Sequence, residues 1–155
     1  MPRVSTSRLI AVPREKVWAL ISDPHHFPRW WPLVMRVENI RGQPGAKRAQ
    51  WTAVLQSDRG NIVRADYRCV GSTRPERYAW EQELEGTPFE RILRASVVEA
   101  TLRPADGGTE VKLASRNSLR GLSRLGSPMM RRATHRRLDE ALDGIALALE
   151  EERGD

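Results

Sequence analysis

Along the chain the apolar positions change their period repeatedly, and each change marks an element. Residues 4–12, VSTSRLIAV, read as a strand. Pro13 then opens a helix, because proline suits the first helical turn. Within REKVWALIS the apolar set Val17, Trp18, Leu20 and Ile21 shares one helical face. Ser22-Asp23-Pro24 closes that helix and starts another, with Asp23 at the N-cap and Pro24 in the first turn. The second helix must be short, since Pro28 and Pro32 follow. After Pro32 the texture becomes strands over 34–41, 47–57, 61–71, 76–84, 89–103 and 108–119, divided by turn signals such as Gly42–Gly45, Ser57–Gly60 and Pro104–Gly108. Short separators between successive strands predict an antiparallel meander.

Alternation assigns faces to these strands. One side should carry Trp51 and Leu55, then Val63, Ala65 and Tyr67, then Tyr78, Trp80 and Gln82. The same side should carry Arg94, Ser96 and Val98, and finally Leu113, Ser115 and Asn117. The chain ends in a long helix over about 123–152, whose stripe Met130, Thr134, Leu138, Leu142, Ile145 and Leu149 packs inward. Gly126 and Pro128 kink or delay its start.

Composition narrows the setting. At 155 residues the chain is sized for one domain, spanning 1–155, and needs no disulfide or metal staple. Cys69 is the only cysteine, and no Cys/His spacing of the zinc type occurs, so neither metal nor cofactor is expected. His25 and His26 are adjacent, which on a helix points them about 100° apart rather than at one ion. The N-terminal stretch lacks the apolar run of a signal peptide, and no apolar window reaches about 18 residues, so a cytoplasmic protein is expected. Net charge is +6, with only 3 lysines among the 26 basic residues. From Arg120 to Arg137 the sequence holds arginines and one histidine but no acid. That stretch is either a solvated helix face or a contact for an anionic membrane surface, nucleic acid or an acidic protein. Nucleic acid is the weaker option, because no reading motif accompanies the charge.

The segment IAVPREKVWALISDPHHFPRWWPLV resembles the opening of the START-like superfamily, also called SRPBCC, and within it the polyketide cyclase/dehydrase-like group. ATLRPADGGTEVKL is similar to that group's last hairpin. The resemblance implies an α+β helix-grip fold. A curved antiparallel sheet of about seven strands wraps the long C-terminal helix, with two short helices after the first strand. It also implies a deep cavity between sheet and helix, and a small hydrophobic ligand such as a lipid, a quinone or a polyketide-like molecule.

On that expectation the lining has aromatic walls from Trp51, Tyr67 and Trp80 and apolar area from Val63, Ala65, Val98, Leu113, Leu138 and Leu142. Polar points come from Gln82, Arg94, Ser96, Ser115 and Asn117. Arg94 and Tyr67 are the catalytic candidates. An inward guanidinium polarises a ketone or pairs an anionic ligand, unless a bulge turns Arg94 outward. Tyr67 either donates a proton to a ligand carbonyl or is a core tyrosine. His135, beside the apolar stripe, is a general-base candidate or a helix-flank residue. Trp30 and Trp31 are assigned to the pocket gate, one plugging the corner between helix and sheet and the other at the mouth. Three function classes remain open: a binding module acting as carrier, sensor or store; a cyclase, aromatase or dehydratase; and membrane docking through Arg131, Arg132, Arg136 and Arg137.

Overall fold

The computed structural model describes residues 3–57, 59–91, 93–119 and 127–153. The chain begins with strand β1 (Arg3–Ile10) and helices α1 (Arg14–Ile21) and α2 (Phe27–Trp30). Six strands follow: β2 (Val34–Arg41), β3 (Gln50–Gln56), β4 (Ile62–Thr73), β5 (Arg77–Glu83), β6 (Leu93–Ala105) and β7 (Gly108–Leu119). Helix α3 (Ser127–Arg153) closes the chain. The expected beginning of that helix, with Gly126, Arg120 and Arg124, lies outside the described residues.

The strands form one antiparallel sheet in the order β1-β7-β6-β5-β4-β3-β2, a meander whose first strand crosses over to pair with the last. The sheet curves, and the α-helices pack on its concave face, so the fold is the expected α+β helix-grip. The alternation works where the pairs hold register across the middle of the sheet: Tyr67 lies opposite Gln82, Trp80 opposite Val98, and Val98 opposite Ser115. The predicted strand start at 89 is instead a short helical turn over Pro88–Arg91. The Glu90 carboxylate accepts the Gly86 N–H at 3.0 Å, and the Thr87 hydroxyl donates to the Leu84 carbonyl at 2.6 Å, which winds the chain before β6 begins.

The turn after α1 forms as its residue types require. Asp23 is extended, and its carboxylate accepts the His25 N–H at 3.0 Å, while Pro24 occupies the first turn. The same carboxylate takes both imidazoles, His25 Nδ1 at 2.8 Å and His26 Nε2 at 3.3 Å. The histidine pair therefore belongs to the turn. This turn delivers an aromatic seam. Phe27 stacks on Trp30 at 5.0 Å and on Trp51 at 5.5 Å, and meets Trp80 edge-on at 5.4 Å. Trp80 also meets Trp31 at 5.7 Å and Tyr78 at 5.9 Å, Tyr78 meets Trp18, and Trp51 stacks on Tyr67. Every tryptophan and tyrosine of the chain joins this cluster. Such pairs add about 0.5–1.5 kcal/mol each beyond the area they bury.

Helix α3 is clamped on both sides. Towards β1, Thr6 donates to Asp139 at 2.8 Å, and Arg8 is paired with Asp143. Towards α2, Gly144 lies against the backbone of Trp30, so close that a Cβ at this position would stand 2.2 Å from the Trp30 carbonyl oxygen. Leu138, Ala141, Leu142, Ile145 and Leu149 fill the space beneath, all buried. No helix among the described residues is long and apolar enough to cross a membrane.

Two measurements test this packing. In a helix free of neighbours, Gly→Ala stabilises by about 1 kcal/mol. Gly144→Ala should instead destabilise, by roughly 1–3 kcal/mol, because the new methyl overpacks a backbone contact. Urea denaturation reads the sign directly, and a gain in stability would mean that α3 is not seated on Trp30. The second measurement uses the two tyrosines. Burial pushes the Tyr67 phenol up from 10.0 to about 12. Burial, reinforced by the Cys69 thiol, pushes Tyr78 higher still. The fold favours the protonated phenols, so their contribution to stability is complete below pH 10 and is lost as the pH climbs through about 12. The native protein should show no phenolate absorbance at pH 10, where the denatured chain is half ionised. A tyrosine titrating normally in the native state would refute the buried seam.

Candidate functional site

The first half of α3 does not follow the second half down onto the sheet. Met130, Ala133, Thr134, Arg137 and Leu138 repeat at spacings of three and four, the stripe that faces the sheet. Under this half the sheet presents Tyr67, Trp80 and Gln82, then Ser96, Val98, Ser115 and Asn117, and Trp31 closes the side next to α2. The space between is a cavity of about 290 Å³.

The wall is mostly apolar and carries one connected polar group. Ser96 and Asn117 are register partners on β6 and β7, and the Ser96 hydroxyl donates to Asn117 Oδ1 at 2.7 Å. The Asn117 amide nitrogen in turn donates to the Ser115 hydroxyl oxygen at 3.4 Å. Strand pairing therefore fixes all three side chains. Tyr67 stands opposite Gln82 on the neighbouring strand, its phenol held neutral by burial.

Most of the predicted lining is brought together: Tyr67, Trp80, Gln82, Ser96, Val98, Ser115, Asn117 and Leu138 all border the cavity. Other expected residues do not. Arg94 is exposed and borders an outer groove with Arg68, Glu81 and Glu83. The register shifts between Leu93 and Ala95, and the bulge inverts the alternation, so Leu93 is buried and the guanidinium turns outward. Trp51 is only 2% exposed and lies behind Tyr67, stacked between that ring and Phe27. Leu113 and Leu142 lie in the solid core, at 0% and 2% exposure, and Val63 and Ala65 also fall outside the lining.

The two tryptophans assigned to the gate stand in different places. Trp30 is the buried plug, with an Nε1–H that finds no hydrogen-bond partner among the described residues, and Trp31 borders the cavity. His135 is exposed, with its Nδ1 3.2 Å from the Asp139 carboxylate, away from the lining.

The arginine run on α3 also divides. Arg131, Arg132 and Arg136 are exposed, whereas Arg137 is half-buried and borders the cavity. Sequence reasoning placed Arg137 with the surface charge. The signal that finds it is its place three residues after Thr134 and one before Leu138, on the inward stripe. Met130, Ala133 and Thr134 join the lining by the same spacing.

The fold is shared with solved structures. A Nitrosomonas europaea protein superposes with a TM-score of 0.72 at 17% identity, over 99% of this chain and 97% of that one. A Thermus thermophilus protein gives a TM-score of 0.72 at 19% identity, over 94% of both chains. The di-domain ARO/CYC protein StfQ, from the steffimycin biosynthetic pathway, gives 0.80 at 12% identity, over 99% of this chain and 52% of that one. Identities this low speak to fold alone. Among curated proteins none matches the chain. The sequence model of the family described as polyketide cyclase/dehydrase and lipid transport matches residues 1–150, and the chain belongs to that family.

Proposed function

We propose that the chain holds a small, mostly apolar, partly oxygenated molecule between its sheet and α3, as a carrier, sensor or store. The observation that carries this reading is the make-up of the wall. Trp31, Trp80, Val98 and Leu138 offer apolar surface, and the Ser96–Asn117–Ser115 group interrupts it at one place. Apolar walls with a few fixed polar groups are what small-molecule sites use for affinity and orientation. A volume of about 290 Å³ is at the lower edge of the usual range of roughly 300–1,000 Å³, which favours a compact molecule.

The cyclase reading asks for more than a cavity. Proton transfer needs an acid or base within hydrogen-bond reach of the reacting atom. The described lining contains no His, Asp or Glu. Its ionisable groups are Tyr67, neutral up to about pH 12, and Arg137, a permanent cation. Neither accepts a proton near neutral pH, so the lining supports holding a ligand over turning one over.

Protein purified from its own host and examined by native mass spectrometry should retain a hydrophobic small molecule. In vitro, the neutral probe N-phenyl-naphthylamine should quench the tryptophan fluorescence of the lining. Ala133→Trp should fill the cavity from an exposed helix position and weaken probe binding about tenfold or more, a loss of ~1.4 kcal/mol. Saturable binding that is indifferent to Ala133→Trp would place the probe elsewhere and overturn the reading.

A further inference from the structure

We infer that the ligand is an amphiphilic acid, and that Arg137 receives its carboxylate. Arg137 is half-buried against the cavity, and among the described residues nothing accepts from its guanidinium. The acids nearby on α3 are committed or turned away. Asp139 takes Thr6 on β1 and His135 on its own helix, Asp143 takes Arg8, and Glu140 is exposed. Among the described residues no carboxylate from the sheet borders the cavity. A cation beside an apolar wall has lost part of its hydration without gaining a partner, a cost that an incoming anion removes. The guanidinium fork matches a carboxylate in two parallel hydrogen bonds.

The opposite wall offers donors as well. The Ser115 oxygen already accepts from Asn117, and the Asn117 oxygen already accepts from Ser96. Beside free lone pairs on the three oxygens, the Ser115 O–H and the second Asn117 N–H remain as donors. Tyr67 retains its phenolic proton up to about pH 12 and adds another. Donors on this wall can serve an accepting polar end, and the permanent positive charge of Arg137 makes that end an anion.

This assignment rests on the cavity holding a ligand, and the experiment separates the two. Naphthaleneacetate and naphthaleneethanol share a ring system and differ in the charge of the polar end. Tryptophan quenching should show the native protein binding the acid about tenfold or more tighter than the alcohol, the usual worth of a hydrogen bond to a charged group. Arg137→Gln should bring the two affinities together, Arg137→Lys should restore part of the preference, and Arg116→Gln, on the exposed side of β7, should keep it. Equal binding of acid and alcohol by the native protein, or a preference that survives Arg137→Gln, overturns the assignment while leaving the cavity reading intact. Binding of neither compound, nor of the neutral naphthylamine probe, removes the cavity reading and this assignment with it.

Discussion

The close contact between Gly144 and the backbone of Trp30 sets the position of everything around the cavity. A helix normally stands 8–10 Å from its neighbour because side chains intervene. At Gly144 no side chain does, and α3 drops onto α2. That contact presses Trp30 into the core, where its ring meets Phe27, Trp31 and Trp80. Its indole N–H finds no partner there among the described residues, at a cost of about 1–3 kcal/mol. Burying an indole gains about as much or more in apolar area, together with ring contacts on several sides, so packing wins.

The clamp on β1 then sets the rotation of α3 about its own axis. Thr6 and Arg8 hold Asp139 and Asp143 on one flank. Arg137 and Asp139 lie on either side of Leu138, each about 100° from it around the helix. Fixing Asp139 towards β1 therefore turns Arg137 to the other flank, where the helix stands off the sheet. The Arg8–Asp143 ion pair is exposed and worth little, about 0–1 kcal/mol, and Thr6–Asp139 is a single part-buried hydrogen bond. Their effect is to choose one rotation among several that the apolar stripe would tolerate.

The element order was legible because the chain is well punctuated. Asp23-Pro24, Gly42–Gly45 and the Gly107-Gly108 hairpin are local signals whose physics does not depend on the rest of the fold. Most of the cavity was legible for a related reason: strand alternation is also local, and it held for Trp80, Gln82, Ser96, Ser115 and Asn117. It failed at Arg94, since one extra residue in a strand reverses every face assignment before it and no residue type marks such a bulge. Trp51 was misplaced for another reason. Period gives the side of a sheet but not the depth, and Tyr67 stands between Trp51 and the cavity. Gly144 carried no signal at all, because a helix pattern treats a lone glycine as a weakness, whereas a second helix is what makes it necessary.

One half of α3 is seated on Trp30 and the other borders the cavity, yet they are one rigid rod. From Gly144 to Arg137 is seven residues, about 10 Å of helix. A tilt at the Trp30 contact is carried along that length to the guanidinium. The polar wall opposite does not move with it, because Ser96, Asn117 and Ser115 are tied together across paired strands. The distance between the cation and the polar wall is therefore set by a packing contact that touches neither. Strand pairing makes the wall stiff and reproducible, while helix seating makes the width of the cavity adjustable by small changes in the core. The residues beneath the helix can therefore change the shape of such a cavity as much as those that face it.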